Sequence, residues 1–456
     1  MIFLLVCIPL IISVLIGLLL IRWILGKGQD IDPLLLFFIA AGLGLGISAA
    51  LTFFSFILLN QFNRPFIITI HLAVLAGLTA KQILDCRREK KPFIVIKPLN
   101  KQNLIIIAVL VAALWPLYLY ASYYPYGGWD AWSCWNLKAR FLYLGKEDWQ
   151  NMFDPVLWRA SPHYPLLLPL LHVWSWCFLP APVEAGPMIN SLLFTVLTAG
   201  LLISGLKSFI PLRMSVLSGL LMLTLPFYVK LAISQYSDIV LGYFVLAAMI
   251  CLIQTKIEKK EAFVSLAGIF LGFLSFTKPE GLMAALILIV LAIPYFLWKE
   301  KQSAQTNRLI GKFFLSAAIA FIPTILFQIL YSPGNQTFIN GLTSTDKPAD
   351  TFRFQFIFAY LYSELKSEKW HYLWGFLAIG MMLGGRQSFR RETLIIPVFL
   401  LTYSGIIMVY YFLNTYFEIA WWMTVTLNRI LFSLLPTALF GIFYTLWRQE
   451  QSTGPE

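Results

Sequence analysis

Asp130 stands in the stretch YPYGGWDAWSCWNLKARFLY, after Gly127-Gly128 and between Trp129 and Trp132. A carboxylate so placed can take a proton from a hydroxyl, bind a cation, or cap the helix that the next apolar repeat predicts over 131–144. Lys138 and Arg140 follow on the same segment, where they can hold an anionic group or anchor the chain at a membrane interface. His163, in SPHYPLLLP, suits a ligand or hydrogen-bond donor as well as a structural loop residue. Asp238 opens an apolar run in SQYSDIVLGYF, where capping is its blander role. Lys278 and Glu280 flank Pro279 in FTKPEGL, and Arg429 leads into LNRILFSLLP. Pro279 and Glu280 are what a helix start needs, but Lys278 carries the wrong sign for the positive end of a helix dipole. Lys278 is therefore a candidate for a phosphate contact. Arg429, with its bidentate fork, is another, although an interface anchor explains it too.

These residues are scattered over 300 positions, so something must bring them together. The chain has 456 residues, 59% of them hydrophobic and 12% charged. Apolar runs near twenty residues long predict membrane-spanning helices, and the absence of ten-residue alternation excludes a β-barrel. The spans are read at 2–21, 33–58, 65–84, 103–121, 187–206, 212–229, 238–255, 263–277, 280–298, 309–331, 370–385, 393–413 and 427–447. The expected fold is thus an all-α polytopic bundle of about 13 transmembrane helices with outer juxtamembrane helices.

Basic loops at 85–101, 256–260, 299–312 and 386–391 set the cytosolic side, and the whole net charge of +12 falls there. That placement argues against nucleic acid as a partner and for membrane lipids. Segment 164–179 is short and interrupted by Pro165 and Pro169; counting it as a span would turn the later basic loops outward. It is read as a helix in or dipping into the outer leaflet. The organisation is then a three-helix segment at 1–100, a module at 101–331 with a first outer loop at 122–186, an outer loop at 332–369 with an interfacial helix, and C-terminal helices at 370–456. Asp130, His163, Asp238, Lys278, Glu280 and Arg429 all fall at outer span ends or in outer loops. Five cysteines are scattered with no disulfide or zinc spacing.

The order of these pieces resembles the membrane glycosyltransferases of the GT-C type, which include protein mannosyltransferases and bacterial lipid A aminoarabinose transferases. YPYGGWDAWSCWNLKARFLY is similar to their first loop with its catalytic acid, here Asp130. His163-Tyr164-Pro165-Leu166 stands for their Pro-Pro-Leu turn, YSDIVLGYFVLAAMICL for their second acid (Asp238), GFLSFTKPEGL for their Leu-Thr-Lys segment (Lys278), and LNRILFSLLP for a late Arg-bearing span (Arg429). The first loop departs from them in carrying a single Asp where many members have two acids.

The resemblance implies a GT-C-like bundle, and the basic-loop topology puts its site on the outside or periplasmic face; a bacterial plasma membrane is expected because the chain is compact and shows no retention signal. It implies a sugar donor carried on polyprenyl phosphate and a glycan, lipid or protein acceptor. Asp130 would be the general base in an inverting transfer, with Asp238 the second acid. Lys278 and Arg429 would meet the phosphate, and Trp129 and Trp132 would wall the sugar. A divalent cation (Mg or Mn) stays open as cofactor. A lipid-linked glycan polymerase or ligase, and a transporter or flippase of lipid-linked saccharides, are the competing readings; the latter would place its charges near the midplane.

Overall fold

The structure is a computed structural model that describes residues 2–26, 31–89, 99–257, 261–297, 304–343, 351–384 and 393–453. Much of the basic side used to orient the chain lies outside the described residues: Lys27, Lys90, Lys91, Lys97, 258–260, 299–303, Arg386, Arg390 and Arg391.

The regular structure among the described residues is all helical, with no strand. The first four helices are α1 (Ile2–Leu25), α2 (Pro33–Leu59), α3 (Arg64–Glu89) and α4 (Lys101–Tyr123). Short helices α5 (Asn136–Leu144) and α6 (Leu167–Trp176) follow. Then come α7 (Ala185–Lys207), α8 (Leu212–Leu223), α9 (Pro226–Ser234), α10 (Ser237–Ile257), α11 (Ala262–Ser275), α12 (Pro279–Leu297) and α13 (Ala304–Leu330). The chain closes with α14 (Gln336–Thr343), α15 (Thr351–Leu365), α16 (Leu373–Leu383), α17 (Ile395–Leu413) and α18 (Ile419–Thr453).

Among the described residues, ten helices are long and apolar enough to cross a membrane, or eleven if α8 and α9 count as one bent span. The chain is an integral membrane protein. The expected span at 212–229 is broken: α8 and α9 meet at 66° because Pro226 starts a new helix and cannot continue the old ladder. The expected spans at 263–277 and 370–385 are the 14-residue α11 and the 11-residue α16. Each rises only about 15–20 Å, less than the roughly 30 Å of a hydrocarbon core. Helix α6 covers the segment set aside as a non-span. It is ten residues long, and all ten are buried in protein, against α1, α2, α5 and α7, where the outer leaflet was expected around it.

Helix α10 is the axis of the bundle. Its sequence is apolar on every face, which suits a helix enclosed all round. Every residue from Ser237 to Thr255 is buried, against α7, α11, α12 and α18. The N-terminal helices join this core through the GLGLG run of α2. A Cβ on Gly44 would lie 1.7 Å from the Ser13 carbonyl oxygen of α1, one on Gly42 would lie 2.1 Å from the Tyr243 hydroxyl of α10, and one on Gly46 2.3 Å from the Phe273 ring of α11. Without a hydrophobic force between helices in lipid, such close approach is what holds them.

Gly44→Leu is therefore expected to lower the thermal midpoint of the purified protein, by an overpacking cost of about 1–3 kcal/mol or more because the clash is with backbone. Gly77→Leu is the control, since a Cβ there meets nothing within 4 Å. Equal midpoints for the two variants would refute the packing argument.

Two ends of the bundle are defined by polar ties. At one, Asp32 caps α2 through Leu34 and Leu35 amides at 2.9 and 3.2 Å, and takes the Lys207 ammonium of α7 at 2.6 Å. Lys207 also bonds Asn103 in the first turn of α4. The starts of α10 and α12 lie at the other end, beside the segment that follows α4.

Candidate functional site

The loop before Asp130 is fitted onto the turn between α9 and α10. Gly127 adopts φ +70°, which favours glycine, and the Gly128 amide donates to the Ser234 carbonyl at 3.0 Å. A Cβ on Gly127 would come within 2.7 Å of that same carbonyl oxygen, and one on Gly128 within 2.5 Å of the Tyr236 hydroxyl. Gln235 closes the joint, donating to the Pro125 carbonyl at 2.8 Å and accepting from Asn136 at 2.9 Å. The glycine pair thus allows a close approach that sets Asp130 beside the start of α10.

Residues 131–135 then form a π-turn, a wide turn that recurs at functional sites. Asp130 precedes it, yet its side chain makes no capping bond. Its Oδ2 goes instead to Arg429 Nη1 at 2.6 Å. Arg429 holds Asp238 with its other nitrogens: Nε and Nη2 both lie 2.9 Å from Asp238 Oδ2. The second Asp238 oxygen accepts from Lys278 Nζ at 2.8 Å, and Lys278 reaches Glu280 at 3.4 Å. The result is a chain of alternating charge, Asp130–Arg429–Asp238–Lys278–Glu280, across α10, α12, α18 and the π-turn.

Asp238 has no exposed side-chain surface and Lys278 only 5%, whereas Asp130 keeps 30%. Buried charges this close survive only when each is matched, and Asp238, the innermost, is matched twice. Both bland roles from sequence, the caps at Asp130 and Asp238, give way to these ion pairs. The odd sign of Lys278 at a helix start is explained by Asp238 and Glu280 beside it. Three carboxylates against two cations leave the cluster one negative charge in excess, and Glu280 Oε2 is buried with no hydrogen-bond partner.

Arg429 is not at the start of its helix. α18 begins at Ile419, so Arg429 lies ten residues in, about 15 Å along the axis. The helix extends past the expected 427 because Glu418 caps it, accepting from the Ala420 and Trp421 amides at 3.1 and 3.0 Å.

The other expected site residues do not join the ion-pair chain. Arg140 pairs with Glu184 at 3.0 Å. Lys138 is fully buried and donates to the Ser161 and Tyr164 carbonyls at 2.6 and 3.1 Å, holding the turn that carries His163. Burial, opposed by the nearby Cys134, lowers the Lys138 pKa from 10.5 to about 8. Burial and the Lys138 charge lower His163 to about 4, so its imidazole is neutral at pH 7. Trp129 and Trp132 are 57% and 49% exposed and meet edge to face at 4.4 Å, forming an open aromatic wall next to Asp130.

The Lys138 shift has a sign that can be tested. Below about pH 8 the lysine is charged in both folded and unfolded chain, and its burial cost is fully present. Between about pH 8 and 10.5 the folded chain releases the proton and the unfolded one keeps it, so stability rises with pH. The gain is up to about 3 kcal/mol. Lys138→Met should flatten stability across that window; an unchanged slope would rule this account out.

Sequence reasoning missed three contributors. Tyr236 lies under the Arg429 guanidinium, with 4.5 Å from its Cζ to the ring centre. Gln235 locks the glycine loop, and the Tyr164 carbonyl takes the Lys138 ammonium. Their signal was adjacency: Gln235 and Tyr236 immediately precede Ser237-Asp238, and Tyr164 follows His163.

The donor set does not fit a divalent cation. Asp130 and Asp238 already share a guanidinium between them. Among the described residues no group of three or more His, Cys, Asp or Glu is arranged to hold a metal ion.

No family model matches this chain, nor does any curated protein or solved structure. What fold and site define together is a polytopic helical membrane protein with a buried ion-pair chain gathered at the starts of two helices.

Proposed function

We propose that the chain is a GT-C-type membrane glycosyltransferase that moves a sugar from a polyprenyl-phosphate carrier to an acceptor hydroxyl on the outer side of a plasma membrane, bacterial by preference. The observation that carries this reading is the half-open Asp130 carboxylate tied to Arg429, next to an aromatic wall, at the common end of α10 and α12. Thirteen passes follow if α11, α16 and the bent α8–α9 pair also cross. The Asp238–Lys278 bond favours that count for α11, because the starts of α10 and α12 meet only if α11 brings the chain back.

The chemistry needs one base and one anion site. Asp130 accepts the acceptor's hydroxyl proton. The hydroxyl oxygen bonds the anomeric carbon as the bond to the phosphate oxygen breaks on the opposite face, giving inversion. The leaving polyprenyl phosphate keeps the electron pair and meets Arg429 and Lys278. Arg429 is the more accessible, with 16% of its side chain exposed against 5% for Lys278. It holds Asp238 through Nε and Nη2, so its Nη1 edge, which faces Asp130, is the part that a phosphate oxygen can share with the guanidinium left in place. The transferred sugar lies against Trp129 and Trp132, and the acceptor hydroxyl of a glycan, lipid or protein approaches Asp130.

The test is transfer itself. Purified protein in lipid receives radiolabelled polyprenyl-phosphate sugars and a membrane glycan extract. Label leaving the polyprenyl carrier for an acceptor is the expected result. Label that crosses the bilayer on its original carrier would make the chain a transporter or flippase. Label accumulating as lipid-linked chains of growing length would make it a polymerase.

A further inference from the structure

The grip of Arg429 on Asp238 leaves one freedom open. A bidentate arginine–carboxylate pair runs two parallel bonds to two oxygens, and that fork fixes the guanidinium plane. Here Nε and Nη2 converge on the single Oδ2 at 2.9 Å each, because Lys278 takes Oδ1 at 2.8 Å. One acceptor atom fixes where that edge sits, but not the tilt of the plane about it. Asp130 adds a second point through Nη1 at 2.6 Å, yet Nη1 is the nitrogen that an incoming phosphate oxygen would share. Another contact must hold the plane when the ligand arrives.

Tyr236 supplies that contact. The guanidinium carbon lies over its ring, 4.5 Å from the centre, where a planar cation is attracted by the negative face of an aromatic ring. The ring itself is held from both ends. Its backbone follows Gln235, which takes φ +59° at the end of α9 and bonds the Pro125 carbonyl at 2.8 Å and the Asn136 amide at 2.9 Å. Its hydroxyl lies against Gly128, where a Cβ would come within 2.5 Å of it. Burial and the Asp130 carboxylate raise the phenol above its ordinary pKa, so the ring is neutral at pH 7.

We propose that Tyr236 is a positioning residue: its ring fixes the plane of the Arg429 guanidinium and so holds the Nη1 edge toward an anionic phosphate oxygen. This rests on the reading that the ligand is a polyprenyl phosphate, and its test separates the two. Wild-type protein, Tyr236→Phe, Tyr236→Leu and Tyr236→Met, all in lipid nanodiscs, are titrated with polyprenyl phosphate, with the matching polyprenol and with inorganic phosphate. Phenylalanine keeps the ring and loses the hydroxyl; leucine and methionine fill space without a ring. Thermal midpoints report whether the fold is kept.

The two ringless variants are expected to lose about tenfold in polyprenyl-phosphate affinity, inside the roughly two- to thirtyfold worth of a cation–π contact. Tyr236→Phe should stay within about twofold of wild type, and polyprenol affinity should not change in any of them. Wild-type affinity for the phosphate in Tyr236→Leu and Tyr236→Met would overturn the proposal. So would a loss in Tyr236→Phe as large as theirs, or a parallel loss for polyprenol, which would make Tyr236 merely structural. Wild-type protein that binds no polyprenyl phosphate would sink this proposal and the donor reading together. Inorganic phosphate bound with the same dependence on the ring would keep the proposal and make the lipid incidental. Ring-dependent binding in a protein that transfers no sugar would sink the transferase reading and leave this one standing.

Discussion

Asp238→Asn is expected to destabilise the protein by about 3–5 kcal/mol, more than any other single change in the cluster, because it strips two buried cations of their shared anion. Asp238 has no exposed side-chain surface and spends one oxygen on Lys278 and the other on Arg429. An asparagine keeps the shape, but it replaces a charge with a dipole and offers an amide to a cation on one side. Lys278 would be left with Glu280 at 3.4 Å, and Arg429 with the half-open Asp130. Unfolding measured in mild detergent against Lys278→Met and the double variant makes a cycle. The double variant should cost less than the two single costs added, by about 0.5–3 kcal/mol, because removing Lys278 relieves the unmatched charge. Additive costs, or an Asp238→Asn protein within about 0.5 kcal/mol of wild type, would mean that the chain of charges carries little of the fold.

The sequence made the ingredients of this cluster visible, but not the way they combine. Asp130, Asp238, Lys278, Glu280 and Arg429 were all conspicuous, because ionisable groups beside apolar runs are costly and need a partner. Lys278 was the most telling, since its sign contradicts the helix start it occupies. Which partner each one takes depends on the rotation and depth of helices distant in sequence, and no local pattern encodes that. Arg429 shows the limit: hydropathy placed it at the mouth of its span, whereas the Glu418 cap starts the helix at Ile419. Lys138 shows another: the spacing of basic residues made it an anion-binding candidate, but it is spent on two backbone carbonyls.

Helix existence was similarly more legible than helix continuity. The ten long helices stand where the apolar runs predict them. The differences fall at breaks with identifiable causes, such as Pro226 between α8 and α9. Before α16, His371 and Tyr372 both take positive φ, so the helix begins only at Leu373. The burial of α6 was hidden because lipid and protein interior select the same apolar side chains; only the polar residues on it distinguish the two. Ser175 and His172 bond Asn190 of α7, and the Trp174 indole donates to the Pro9 carbonyl of α1 at 3.1 Å. Those are protein contacts, and a lipid-facing helix could not make them.

The same geometry predicts that Asp130→Asn abolishes transfer while sparing the fold. Asp130 lies at the exposed end of the charge chain, and Arg429 keeps Asp238 when Asp130 is neutralised. The thermal midpoint should therefore fall far less than in Asp238→Asn. Transfer from a polyprenyl-phosphate sugar should drop by about 10²–10⁴-fold, the usual worth of a general base. Donor binding should hold or tighten, because removing the carboxylate frees one guanidinium arm and lowers the negative excess of the cluster. That combination, a lost rate with retained donor affinity and retained fold, is not what a purely structural ion pair would give. A structural Asp130 would lose stability and rate together. A transfer rate unchanged in Asp130→Asn would take the base away from this residue, and Glu280, whose Oε2 is buried without a partner, would be the next carboxylate to replace.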